Sequence, residues 1–258
     1  MSATGTAARA TTAEPAAGVV RTVTRGLGEL LITAGLVLLL FVAYQLVWTN
    51  LEADRAQGQV ADQIREQWQR PPVATGGTGE DGTGDGQAKG DGGTSRARAG
   101  ASKLGEGLAF LHIPRLGTDF AVPVLEGVTL DVLARGVGHY PDTALPGQVG
   151  NFAVAGHRAT NGEPFAALDL VQVGDALLVE TRRHWLRYVV DSTRIVQPTD
   201  TWVIDPVPGQ RDAVPRDRLI TLTTCNPRWA SYQRLIVFGH LETKRPKSDG
   251  PPPELARA

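Results

Sequence analysis

The sequence predicts a mainly β domain, a small barrel or sandwich with short helices, carried behind one N-terminal transmembrane helix. Three observations predict it: a set of short strand-like runs with turn chemistry between them over residues 105–243, an uncharged stretch at 30–48, and a Gly-rich run that separates the two. The 258 residues leave room for one or two domains, and 41% hydrophobic with 21% charged residues fits a globular protein with extra segments. The formal net charge of -1 gives no hint of a nucleic-acid partner.

Residues 1–29 begin with an Ala-, Thr- and Gly-rich segment without periodicity and read as a disordered cytoplasmic N-terminus. The nineteen residues 30–48 carry no formal charge, close to the ~20 a helix needs to cross a hydrocarbon core. A buried core helix would show a polar face, whereas this run has Thr33 and Gln45 but no polar stripe. A cleaved signal peptide would have a shorter apolar region and a better small-residue cleavage site than Thr49-Asn-Leu-Glu-Ala-Asp offers. Arg9, Arg21 and Arg25 precede the span, while Glu52 and Asp54 open its far side. The positive-inside bias therefore keeps the N-terminus cytoplasmic and places everything after residue 50 outside.

Residues 49–70 are polar and helix-compatible, with Leu51, Val60, Ile64 and Trp68 at partial helical spacing, and read as a solvated helical stalk that Pro71-Pro72 stops. Residues 71–104 are a Gly-, Thr- and Asp-rich linker. No strand precedes it and no Gly-Lys-Ser/Thr follows, so it is a tether rather than a phosphate loop, and roughly thirty such residues span about 30 Å as a coil. Residues 244–258, with Pro246 and Pro251 to Pro253, read as a disordered tail.

Within 105–243 the strand-like runs are 108–113, 119–125, 151–155, 176–180, 185–196, 219–224 and 234–241. Turn signals such as Pro114-Arg-Leu-Gly117 and Gln172-Val-Gly-Asp175 divide them, and short helical pieces fit 129–136, with Thr129 able to cap, and 164–168. No internal repeat is visible.

The one cysteine, Cys225, stands where the β-branched run before it breaks at Asn226-Pro227. It cannot be half of an intrachain disulfide, and outside the membrane a lone thiol points to reactivity rather than to packing. A thiol nucleophile needs a base and a group to hold the developing oxyanion. Of the five histidines, His112 lies inside a strand, His184 in a turn, His240 at a strand end, and His139 in the Gly138-His-Tyr-Pro141 turn. His157 differs: an apolar strand ends at Gly156 and delivers the imidazole at its tip, as the other strand delivers Cys225. For the cation, Arg234 is favoured because it begins the strand that returns from the loop after Cys225, whereas Arg158 and Arg228 read as solvated loop residues.

Thr221-Leu-Thr-Thr-Cys225, Arg234 nine positions on and Gly156-His157-Arg158 together resemble the signature of bacterial sortases, membrane-anchored cysteine transpeptidases built on an eight-stranded β-barrel. The stretch from Gly138 to Arg158 is similar in particular to the class E enzymes of high-GC actinobacteria, and the likeness runs over about 108–242. The resemblance implies Cys225 as nucleophile, His157 as general acid and base, and Arg234 as the group that positions the substrate backbone and stabilises the oxyanion. It implies Thr223 and Thr224 in the substrate groove and Tyr140 in the segment that reads the second position of the signal. It further implies surface proteins with a C-terminal LPxTG- or LAxTG-like signal as substrates, cleaved between Thr and Gly, and a peptidoglycan-precursor amine of the lipid II type as acceptor. No cofactor is expected, and no acidic cluster calls for a metal. A hydrolytic membrane-bound cysteine peptidase and a non-catalytic surface binding module stay open as alternatives, because a thioester accepts water as well as an amine.

Overall fold

The structure, a computed structural model, describes residues 16–70 and 103–255, with the side chains of 16–20 and 45–50 outside the description. Helix α1 runs Ala16–Gln69. The 1–29 segment lies outside the described residues as far as residue 15, and from Ala16 onward it is helix, not coil. Within α1 the stretch Arg21–Tyr44 has a mean hydropathy of 2.2 and is long and apolar enough to cross a membrane. The 71–104 linker falls outside the described residues except for its last two.

Residues 107–246 supply eight strands: β1 Gly107–His112, β2 Ala121–Glu126, β3 Val137–His139, β4 Gly150–Ala155, β5 Ala176–Glu180, β6 His184–Val196, β7 Arg218–Asn226 and β8 Gln233–Pro246. They close into a barrel in the order β1-β2-β3-β4-β7-β8-β6-β5, with β5 pairing back onto β1. Two neighbour pairs are parallel, β2 with β3 and β4 with β7, and the rest are antiparallel. The expected barrel is present, with one strand more than the seven runs: β3 is three residues long and too short to carry an alternating pattern of its own.

Because side chains alternate across a strand, one set fills the barrel. Phe152 and Val154 of β4, Ile220 and Leu222 of β7, and Leu235 and Val237 of β8 belong to this interior cluster, together with Leu111 and Tyr188. The residues between them face outward, which decides where the chemistry lies. The predicted 129–136 helix shrinks to α2, Leu130–Leu133, where Thr129 stands at the N-cap without a side-chain cap bond. The predicted 164–168 helix is a turn leading into the 3-10 segment Leu168–Leu170.

The 49–70 segment is not a stalk solvated all round: one face of it is buried on the barrel while the rest stays exposed. Val60 and Ile64, the latter 2% exposed, form a second core with Phe110, Leu125 and Val132, and Trp68 meets the Phe110 ring edge-on at 5.4 Å between centroids. Gly107 admits the helix: a Cβ there would lie 2.2 Å from Ile64. The 244–255 segment is ordered as well, correcting the disordered tail. β8 continues to Pro246 opposite His184, and Glu254 accepts from Arg187 at 2.7 Å. Lys247 reaches Glu180 at 2.5 Å while its Nζ sits 4.8 Å from the Trp68 ring. These residues are polar on both faces, so periodicity could not announce them.

Candidate active site

β7 is the middle of three adjacent strands. On one side it runs parallel to β4 with Ala155 opposite Thr223, and on the other antiparallel to β8 with Cys225 opposite Arg234. The parallel pairing persists past the end of β4: the Gly156 N–H donates to the Thr223 carbonyl at 3.1 Å and the Thr224 hydroxyl donates to the Gly156 carbonyl at 2.8 Å. His157 lies two residues beyond Ala155 and Cys225 two beyond Thr223, so both stand on the same rung and, by alternation, on the outward side with Arg234. Neighbouring strands are about 4.8 Å apart. The register therefore flanks the thiol with the imidazole on one strand and the guanidinium on the other.

Gly156 is required by close packing: a Cβ there would lie 2.6 Å from the Phe165 ring. Phe165 also donates its N–H to the His157 carbonyl at 2.9 Å, fixing the backbone under the imidazole. Burial lowers the His157 pKa below the usual 6.5, and its Nε2 is buried without a hydrogen-bond partner among the described residues. An unpaired buried nitrogen is costly, and it leaves this position open to exchange a proton with a group brought beside it. Cys225 is partly exposed. Arg234 Nη1 donates to the Ser231 and Gln233 carbonyls, each at 2.8 Å, and no carboxylate pairs with this guanidinium among the described residues.

A cavity of about 180 Å³ opens beside Arg234, lined by Tyr140, Thr223, Ile236, the end of β6 at Val196 and residues of the β6–β7 connection that include Pro198, Val203 and Ile204. The Tyr140 hydroxyl lies 3.0 Å from Thr223 Oγ1, which joins two of the predicted substrate-contacting residues on one wall. Thr224 is not on that wall. It faces inward opposite Leu235 and is 3% exposed, with its hydroxyl held by Gly156, because adjacent residues of a strand point to opposite faces. Its place is under the site rather than in the groove.

Two further side chains shape the cavity. Asn151 donates to the Val203 and Asp205 carbonyls at 3.2 and 3.1 Å and so pins the β6–β7 connection over the outer face of β4. Its sequence signal was a lone amide in an apolar strand. His139 is 2% exposed, bonds Glu126 at 2.9 Å through Nδ1 and the Ala144 carbonyl at 3.1 Å through Nε2, and thereby holds the loop that bears Tyr140. His112 pairs with Glu180 and His240 with Asp191, so neither is spare. Arg228 lies at the surface on Glu163, 2.6 Å away. Arg158 departs from its predicted place: it is buried at 5% exposure, within reach of Cys225 and Asn226. No group of three or more metal-binding side chains occurs among the described residues.

At the tips of adjacent strands, a thiol between an imidazole and a guanidinium that no carboxylate pairs among the described residues is an arrangement able to carry out cysteine acyl transfer on a closed barrel. A family model described as the Sortase domain matches residues 111–242. The chain is 38% identical over 250 residues to Sortase SrtE1 of Streptomyces coelicolor, which covers 94% of this chain and 63% of the relative's length. It is 35% identical over 241 residues to Sortase SrtE2 of the same organism, covering 90% and 87% of the two chains. The solved structure of sortase E from Streptomyces avermitilis superposes with a TM-score of 0.54 at 44% identity, over 59% of this chain and 99% of that one. The chain belongs to the sortase family, cysteine transpeptidases, and is similar to its class E members.

Proposed function

We propose that this chain is a membrane-anchored sortase that cleaves an LAxTG- or LPxTG-like sorting signal between Thr and Gly and passes the new acyl group to an amine of a cell-wall precursor. The observation that carries the reading is the single rung on which Cys225 stands between a neutral, unpartnered His157 and an Arg234 free of any carboxylate among the described residues. His157 accepts the thiol proton as sulfur attacks the Thr carbonyl carbon. Arg234 donates to the oxygen that gains negative charge, in a partly desolvated site where such a bond is strongest. As the C–N bond breaks, the imidazolium returns its proton to the departing glycine nitrogen, leaving a thioester on Cys225. An acceptor amine then attacks the thioester, gives its proton to His157 and releases the thiol.

Tyr140 and Thr223 stand on the wall of the adjoining cavity, a size suited to the side chains of the signal's first residues. The bias of Arg21 and Arg25 at the N-terminal end of the apolar stretch and of Glu52 and Asp54 beyond its C-terminal end supports a cytoplasmic N-terminus and an external catalytic domain. The test incubates the full chain in detergent micelles with an LAxTG peptide, with and without a glycine-amine acceptor. A ligated product supports the transpeptidase. Cleavage without incorporation supports a hydrolytic peptidase, and no thioester adduct on Cys225 supports a binding module. Cys225→Ala is expected to abolish turnover, and measurable product from it would remove the cysteine mechanism.

A further inference from the structure

The β4–β7 ladder stops one step short of the nucleophile. In a parallel pair the donors of one strand recur every second residue, so after Gly156 N–H to Thr223 O the next bond donated from the β4 side would be the Arg158 N–H to the Cys225 carbonyl. β4 has ended by then, at Ala155, and a bend begins at Arg158. The Arg158 side chain occupies the missing position instead: its Nη1 donates to the Cys225 carbonyl at 3.3 Å and to Asn226 Oδ1 at 2.5 Å. Its Nη2 lies 3.1 Å from Asp169 Oδ1, on the 3-10 segment after Phe165. Asn226 in turn donates through Nδ2 to Gln233 Oε1 at 3.0 Å, the residue before Arg234.

One guanidinium thus ties the exit of β4, the end of β7 and, through Asn226, the start of β8. Those are the three places that carry His157, Cys225 and Arg234. A guanidinium at 5% exposure is costly to desolvate, and its one carboxylate partner is 55% exposed while its Nε has no partner among the described residues. A chain that needed only a turn after His157 could end it with any polar surface residue. Only a planar fork with several fixed donors reaches a carbonyl, an amide and a carboxylate at once, which lysine cannot do.

We propose that Arg158 is a positioning residue for acyl transfer: its side chain replaces the lost ladder bond at Cys225 and keeps the thiol abreast of the imidazole and of Arg234. The proposal rests on the acyl-transfer reading above. It places Arg158 away from the peptide substrate, so the residue acts on the rate of the chemical step and not on binding.

The full chain in detergent micelles is assayed with an LAxTG peptide and a glycine-amine acceptor, as wild type, Arg158→Met, Arg158→Lys and Cys225→Ala. Active molecules are counted by the mass shift of alkylated Cys225, and melting is followed separately. Misplacement of reacting groups by about 1 Å costs about 100-fold, so Arg158→Met is expected to lose about that in kcat per active molecule with KM within about threefold. Arg158→Lys, which keeps the charge and one bond, is expected to recover to about tenfold below wild type. A kcat per active molecule within about threefold of wild type in either folded variant overturns the proposal, as does a loss that appears in KM alone. Should Arg158→Met not fold, Arg158→Lys decides by the same criteria. Turnover by Cys225→Ala would sink the acyl-transfer reading itself, whereas an inert Cys225→Ala beside an unimpaired Arg158→Met sinks only the positioning role.

Discussion

His157 enters the site neutral because burial withholds water from its charged form, which holds its pKa below the usual 6.5. A base is useful only while unprotonated, so the proposed role of His157 fixes the sign: kcat/KM is expected to rise with pH along a limb whose midpoint lies below about 6.5 and to be at its plateau for this group by neutrality. A pH–rate profile of the full chain checks it, and a limb centred above 7 that vanishes in a His157 variant would contradict it. The same depression means that the unfolded chain takes up this proton first. The stability His157 leaves intact at neutral pH is therefore lost as pH falls from about 6.5 toward its folded value. The placement of Cys225, His157 and Arg234 at neighbouring strand tips was legible because each stands where a strand pattern breaks at Gly or Pro or resumes after a loop. Arg158 was not, since a residue just past a strand end looks solvated until the neighbouring strand's unpaired carbonyl is seen. Thr224 was misplaced for a different reason: counting parity from Leu222 would have turned it inward.

At the scale of elements, the 49–70 part of α1 is a wall of the catalytic domain. Ile64 at 2% exposure fills the space that Gly107 leaves, between Phe110 and Leu125. Ile64→Ala is expected to destabilise the folded chain by about 2–5 kcal/mol, the usual cost of emptying such a site, and a denaturant series should show a lower midpoint at unchanged slope. A change below ~0.5 kcal/mol would mean that the helix is a mere solvated stalk. The apolar positions of this helix were visible in sequence, but not what they cover. The missing clue lay in β1, whose run Leu108-Ala-Phe-Leu is apolar on both faces, as strands covered on both sides are. β3 and the end of β8 were illegible because one is too short for any period and the other is polar on both faces.

For the whole molecule, the apolar Arg21–Tyr44 helix and the partly exposed thiol make a joint expectation. In intact cells a membrane-impermeant maleimide is expected to label Cys225, the chain's one thiol, without lysis; labelling that requires lysis would reverse the proposed orientation. The parallel pairing of β4 with β7 also carries a kinetic consequence. No hairpin can make it, and residues 68 apart in sequence must meet, Gly156 with Thr224, after β5 and β6 have been threaded to the other side of the sheet. Contacts that distant form slowly because loop closure precedes any reward. The proposed base and nucleophile thus stay strangers through the early stages of folding, and the imidazole comes to stand beside the thiol only as the barrel closes.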